Sequence, residues 1–317
     1  MRELLIGKND AGQRLDKFIT KTLDLPMSLL YKSIRLKKIK VNRKRAENNT
    51  ILNEGDTIQC FLAEEFFEKK VDEHSFESIS VKLDIIYEDE NIMLLNKRPG
   101  VSVHEDENGS TNTLITHIQA YLYQKGEYRP DEEQSFAPAL CNRIDRNTGG
   151  IVIAAKNAAS LRAMNEKIKQ NEVSKFYLCA AHGKMPKKDE TLRGYLRKDS
   201  EKNLVTVSDT PLKGGKNIET RYRVLREKNG NSLLEVELIT GRTHQIRAHL
   251  AHVGHPLLGD GKYGKNRAEK GRGYKYQALY AYKLIFDRVG TDSVLSYLEG
   301  RTFSIPESDV WFLQDFA

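Results

Sequence analysis

The 317-residue chain is short of several features that would mark a specialised protein. It has three cysteines, Cys60, Cys141 and Cys179, too few and too far apart for a disulfide framework or for the paired spacing of a zinc site. No stretch approaches the roughly 20 apolar residues that a membrane span needs. The opening Met1-Arg2-Glu3-Leu4-Leu5-Ile6-Gly7-Lys8 sets charges on both sides of a very short apolar patch, which is not a secretory leader. There is no low-complexity segment and no internal repeat. The glycine-rich run Gly254 to Gly264 lacks the strand-to-helix setting and the Gly-Lys-Ser/Thr ending of a phosphate cradle, which argues against nucleoside triphosphate binding. These absences predict a protein of the reducing cytoplasm that has no membrane association.

What is present is a core-forming composition, 39% hydrophobic and 30% charged, over a length that suits two domains. The net charge of +7 is unevenly placed. Residues 1–60 hold 13 basic and 7 acidic side chains, leaving 38 basic and 37 acidic in the other 257. A cationic appendage on a near-neutral body points to a polyanionic partner.

In that appendage, Leu15, Phe18, Ile19 and Leu23 recur at helical spacing, and a second helix fits Ser28 as its N-cap, followed by Leu29, Leu30 and Ile34. Seven of the eleven residues from Arg35 to Arg45 are basic. Ile39 and Val41 alternate with Lys38, Lys40 and Asn42, as on a strand with one buried and one cationic face. Glu54-Gly55-Asp56 supplies a turn into a closing strand. Arg14-Leu15-Asp16-Lys17, the Ile34 to Lys40 segment, Val41-Asn42 and Glu54-Gly55-Asp56 together resemble an S4 RNA-binding domain. The resemblance implies RNA contacts by Arg35, Lys37, Lys38, Lys40, Arg43, Lys44 and Arg45. The divisions it suggests are an S4-like domain over 1–62, a charged linker over 63–79 and a catalytic domain over 80–317.

Beyond the linker, strands are expected near Leu83 to Ile86, Ile92 to Leu95, Ile151 to Ala155, Lys175 to Ala181, Thr220 to Leu225 and Leu233 to Leu238. Helices fit Thr113 to Gln124 and Ala158 to Gln170. Strands with helices inserted irregularly between them predict an α+β fold rather than a regular βαβ series.

The chemistry concentrates in Cys141-Asn142-Arg143-Ile144-Asp145-Arg146-Asn147-Thr148-Gly149-Gly150. An aspartate between two arginines stays ionised, and a loop feeding a core strand holds it rigidly, as a nucleophile or base requires. The ordinary alternative is a solvated turn aspartate. A second motif, Thr240-Gly241-Arg242-Thr243-His244-Gln245-Ile246-Arg247, reads as a helix start capped by Thr240 or Thr243. His244, His249, His252 and His255 raise the question of a metal. Their spacing is not the i, i+4 pair of a zinc helix, so polar capping or RNA-facing roles fit better.

Tyr87-Glu88-Asp89-Glu90, Asn96-Lys97-Arg98-Pro99-Gly100, Arg143-Ile144-Asp145-Arg146, Lys175-Phe176-Tyr177 and Thr240 to Arg247, in this order, resemble the RluA-type pseudouridine synthases over essentially the whole chain. The resemblance implies a catalytic domain built on a mixed, largely antiparallel sheet, with the small α/β S4-like domain before it. It also implies isomerisation of uridine to pseudouridine without cofactor or metal, on an RNA partner of the 23S ribosomal type, by a monomer. By position, Asp145 becomes the catalytic carboxylate, Arg247 its cationic partner, and Tyr177 the aromatic that stacks on the target base. Arg143 is placed at base flipping, and Lys97 and Lys175 at backbone phosphates. The family's first motif usually reads His-Arg-Leu-Asp-x-x-Thr-Ser-Gly; here Asn142 stands for histidine and Gly149 for serine. Two competing readings are a catalytically silent RNA-binding assembly factor on the same scaffold and a metal-dependent nuclease built on the histidines.

Overall fold

The computed structural model describes residues 1–67, 76, 79–104, 112–199, 201–264, 274–288, 290 and 293–317. Two short amphipathic helices can bury their apolar stripes only against each other and a sheet, and the N-terminal segment does this. Strands β1 (Arg2–Leu5), β2 (Ile39–Val41), β3 (Lys44–Arg45) and β4 (Thr57–Cys60) form a sheet in the order β1-β4-β2-β3. Helices α1 (Leu15–Thr22) and α2 (Met27–Arg35) add Leu15, Phe18, Ile19, Leu30 and Ile34 to a core of their own with Ile39 and Ile58. The second helix starts earlier than expected, with Pro26 rather than Ser28 at the N-cap and no side-chain cap. A proline fits there because a helix start does not use its missing N–H. Phe67, on a 3-10 turn over Glu64–Phe67, also packs on this core. Most of the expected linker, 68–75 with 77 and 78, lies outside the described residues.

In the body, runs such as Ile92-Met93-Leu94-Leu95 put apolar side chains on both faces of a strand, so their sheet must be covered on both sides. The strands are β5 (Ile85–Glu88), β6 (Ile92–Lys97), β7 (Ala139–Leu140), β8 (Gly149–Ala155), β9 (Val173–His182), β10 (Asp189–Asp199), β11 (Leu204–Ser208), β12 (Lys216–Lys228), β13 (Asn231–Leu238), β14 (Leu279–Phe286) and β15 (Thr302–Ser304). Nine of them follow one path, β11-β10-β12-β13-β9-β14-β8-β6-β5, with β15 paired to β14 and β7 to β8. The fold is α+β, and its sheet is antiparallel except where β14 runs parallel to β8. One face presents Met93, Leu95, Val152, Ala154, Tyr177 and Cys179, packed with residues of α3 (Leu114–Gln124) and α5 (Gln245–His252). The other presents Ile92, Leu94, Ile151, Ile153 and Leu178, packed with Met164 of α4 (Ala158–Lys169) and C-terminal residues such as Phe312 and Phe316.

The sequence reading anticipated β5, β6, β8, β9, β12, β13, α3, α4 and the start of α5, but not β7, β10, β11, β14 or β15. Strand β10 carries charges among few apolar residues and β11 is only five residues long, so their extension is set by pairing with neighbours.

Candidate active site

Strand β8 is buried at every position. Each fully buried isoleucine or valine there contributes about 1.5–3 kcal/mol relative to exposure. The loop before it therefore has a firm seat. Cys141 N–H donates to Ile153 O at 2.8 Å, and Ile153 N–H donates back to Asn142 Oδ1 at 2.8 Å. Asn142, the departure from the usual histidine, thus ties the loop to the strand by its side chain. Ile144 anchors in the core, leaving the next side chain, Asp145, 24% exposed at the surface of the same sheet face as Tyr177.

Glycine is required at both positions after Thr148. A Cβ on Gly149 would lie 2.4 Å from the Tyr280 ring, and one on Gly150, whose φ is +116°, would lie 2.2 Å from Ala281 O. Tyr280, held by its hydroxyl on Asn96 Oδ1 at 2.7 Å, occupies the space that a serine at 149 would need.

Lys97 departs from expectation. It was assigned to backbone phosphates, yet it is 1% exposed, and its Nζ donates to Arg98 O, Val101 O and Arg146 O at 3.1, 2.9 and 2.8 Å. Burial pushes its ammonium down to about 7. The nearby Asp145 charge works against that shift, and three acceptors call for all three N–H groups of the charged form. A cation committed to the chain beside Asp145 braces the loop and is withdrawn from solvent.

The second motif is organised by Gln245 rather than by either threonine as a cap. Gln245, 2% exposed, accepts from Arg242 N–H and Thr240 Oγ1 and donates to Glu219 O and Thr220 Oγ1. His244 occupies the N-cap in the left-handed conformation, φ 52° and ψ 19°, without capping. This entry aims Arg247 inward. Its NH1 donates to Asp145 Oδ2 at 2.6 Å, while Nε and NH2 donate to Asp260 Oδ2 and Oδ1 at 2.7 and 2.9 Å. Asp260 has no exposed side-chain surface and also accepts from the N–H groups of Lys262 and Tyr263. Burial raises the Asp260 carboxyl, but the hydrogen bonds and charge of Arg247 outweigh it and hold the group below the usual carboxylate range. Burial opposes the charge on Arg247, but Asp260 and then Asp145 more than restore it. One buried guanidinium therefore joins two carboxylates, locked on Asp260 and gripping a single oxygen of Asp145.

Tyr177, on β9 between Val236 of β13 and Ala281 of β14, is buried, and its hydroxyl has no hydrogen-bond partner among the described residues. Burial and then the negative charge of Asp145 keep that hydroxyl protonated. Arg143 is exposed, and its charge bears on His104, whose pKa is lowered first by burial and then by this arginine. Lys175 donates to Val173 O at 3.1 Å, and the charge acting on it is that of Asp287 rather than Asp145. Lys97 and Lys175 thus both engage backbone carbonyls. In the N-terminal segment Arg35, Lys37, Lys38, Arg43, Lys44 and Arg45 are exposed and Lys40 half-buried. An open groove of about 740 Å³ is lined there by Arg14, Tyr31, Lys32, Arg35 and Arg45.

The four histidines disperse. His249 is buried against Thr220 Oγ1 and pushed down to about 4, chiefly by burial. His252 faces Asp209, and His255 faces His182 O. Among the described residues, no three metal-ligating side chains converge. The sequence reading missed Asp260 and Tyr263 at the site, although a carboxylate flanked by Gly259 and Gly261 was a signal that could have found the first.

The RNA pseudouridylate synthase family matches residues 91–252. An uncharacterized RNA pseudouridine synthase of Mycoplasma genitalium is 35% identical over 300 residues, 91% of this chain and 90% of that protein. Ribosomal large subunit pseudouridine synthase C of Vibrio parahaemolyticus is 30% identical over 315 residues, 96% and 89% of the two chains. Its namesake from Escherichia coli is 31% identical over 301 residues, 92% and 90%. Among solved structures, human RNA pseudouridylate synthase domain containing 4 shares the fold at a TM-score of 0.56 and 21% identity, over 73% of this chain and 92% of that one.

Proposed function

Since the chain belongs to the RNA pseudouridylate synthase family, we propose that it isomerises particular uridines of large-subunit ribosomal RNA, with Asp145 as the carboxylate that starts the reaction. The observation that carries this reading is the asymmetry at Asp145. Arg247 holds Oδ2 at 2.6 Å, whereas Oδ1 has no hydrogen bond among the described residues, and His244 Nε2 stands off from it at 3.8 Å. A carboxylate fixed by one oxygen and open at the other is oriented without being masked.

The isomerisation breaks the bond from uracil N1 to ribose C1′, turns the base and forms a bond from C5 to C1′. C5 loses a proton and N1 gains one. Asp145 begins it either by attacking C1′ or by removing a ribose proton, and both routes need the open oxygen. A protonated aromatic hydroxyl in an apolar wall suits a flipped base, so Tyr177 is assigned to stack on the uracil and to take part in the C5 proton transfer. Arg143, exposed on the same loop as Asp145, is assigned to the vacated stack or its phosphate. The exposed cations from Arg35 to Arg45 are assigned to RNA backbone, as an S4-like unit over 1–62 would use them.

A pseudouridine map of cellular RNA with and without Asp145→Ala tests this reading. The expected result is loss of one or a few sites in large-subunit ribosomal RNA. Loss of none would favour the silent assembly factor. Arg247→Met is expected to lose activity nearly as fully as Asp145→Asn, because it leaves two carboxylates uncompensated; near-normal turnover would remove Arg247 from the site.

A further inference from the structure

His244 is the residue of the site whose arrangement the catalytic reading leaves unused. It is not a glycine, yet its backbone is left-handed, and its side chain is only 9% exposed. Strain of this kind, of order 1–3 kcal/mol, persists where surroundings over-determine it, and it clusters at functional sites. The ring is held edge-to-face on Tyr263, with centroids 5.6 Å apart, and Nδ1 lies 2.8 Å from Tyr263 Oη.

The hydrogen-bond network assigns the proton. Val205 N–H donates to Tyr263 Oη at 3.1 Å, which leaves the tyrosine its own hydrogen to give, and His244 Nδ1 is the acceptor within reach. If Nδ1 were instead the donor, the tyrosine hydrogen would have no acceptor among the described residues. The proton of a neutral His244 therefore sits on Nε2. Burial first, then the positive charges of Arg247 and Lys262, favour that neutral form over the opposing pull of Asp145 and Asp260. A relay from the backbone of β11 through Tyr263 thus presents one N–H donor 3.8 Å from Asp145 Oδ1, beyond direct hydrogen-bond distance.

A donor and an acceptor at that separation form a two-point seat for a hydroxyl, whose oxygen can lie about 2.8 Å from each, accepting from one and donating to the other. Inside an RNA strand the 3′ and 5′ oxygens are esterified, so the free ribose hydroxyl is the 2′-OH. We propose that His244 donates through Nε2–H to the 2′-hydroxyl of the target nucleotide, seated against the open oxygen of Asp145, and so makes the site selective for ribonucleotides. This rests on the assignment of Asp145 as the catalytic carboxylate. It adds a substrate-contacting residue, with Tyr263 as the residue that positions it. The 2′-hydroxyl is also the group by which a protein distinguishes RNA from DNA at a single nucleotide.

The test begins with wild-type enzyme on transcribed large-subunit ribosomal RNA, to map the modified uridine. Absence of any product there would sink the substrate reading without touching His244. A synthetic RNA fragment carrying the mapped site is then made with uridine or 2′-deoxyuridine at the target. On uridine, His244→Leu is expected to lose on the order of ten- to a hundred-fold in kcat/KM, with His244→Gln, which retains an amide donor, losing less. Wild type is expected to lose a similar factor on 2′-deoxyuridine, and His244→Leu to add no further loss there. Tyr263→Phe should fall between wild type and His244→Leu on uridine. A defect of folding or packing would depress both substrates by the same factor, so equal losses on uridine and 2′-deoxyuridine overturn the proposal, as does full activity of His244→Leu. Should 2′-deoxy turnover be too slow to follow, the same four-way comparison is read in the Kd of the two RNA fragments, where additive losses overturn it equally.

Discussion

Asp260→Asn gives the most demanding check of the charge arrangement at the site. The substitution keeps the size of the side chain but removes one negative charge and turns one acceptor into a donor. Asp260 accepts four hydrogen bonds in the native site, two from Arg247 and two from the N–H groups of Lys262 and Tyr263. An asparagine oxygen can keep the two backbone bonds by replacing Oδ1. Its NH₂ then faces Arg247 Nε–H across a distance that is 2.7 Å in the native site. Breaking one side of a buried ion pair costs about 3–5 kcal/mol. For a catalytic unit of this size, that corresponds to a fall in Tm of roughly 6–20 °C. Freed from Asp260, Arg247 is expected to turn two of its guanidinium nitrogens onto Asp145 and occupy the open oxygen, costing on the order of a hundred-fold in kcat. Thermal unfolding and tritium release from C5-labelled uridine in the RNA read the two effects separately. The pH dependence supplies a third measure. Because the folded-state pKa of Asp260 lies below its unfolded value, its stabilisation is fully present above the unfolded pKa and is lost as pH falls through the folded one. The Tm gap between wild type and Asp260→Asn should therefore be constant near neutrality and close below about pH 4. A variant with unchanged Tm and turnover would refute the claim that Asp260 sets the orientation of Arg247.

Three further outcomes follow from the same structure. Gly149→Ser should cost about 1–3 kcal/mol by forcing the Tyr280 ring aside, and a double-mutant cycle with Tyr280→Leu should recover part of that loss in urea unfolding. Lys97→Met should destabilise by about 2–4 kcal/mol through unpaired carbonyls and lower kcat more than it raises KM, because the loop bearing Asp145 loosens; an RNA-affinity defect without loss of stability would restore Lys97 to the phosphates. Replacing Arg43, Lys44 and Arg45 by alanine should leave the unfolding free energy within about 1 kcal/mol of wild type while flattening the logarithmic salt dependence of RNA affinity by roughly 2, and an unchanged slope would place the RNA elsewhere.

Much of this was legible in one dimension. The period of Leu15, Phe18 and Ile19, and the doubly apolar runs at Ile92 and Ile151, determine helices and two-faced strands because burial leaves such patterns few alternatives. The clustering of cations before residue 46 and the aspartate poised at the mouth of a core strand are likewise local facts. Lys97 is where local reading fell short. A lysine in an Asn-Lys-Arg-Pro-Gly turn looks solvated, and only the approach of the Arg146 carbonyl from 49 residues away makes it an internal brace. Tertiary structure alone decided the ionic arrangement as well. Asp145 and Arg247 are 102 residues apart, and Asp260 belongs to a glycine-rich loop that the sequence marked only as unlike a phosphate cradle. The sequence determined which groups could carry charge and which strands would be buried. Which charge meets which, and which oxygen of Asp145 stays open, depended on the crossing of elements distant along the chain, because electrostatic and hydrogen-bond partners are chosen by proximity in space.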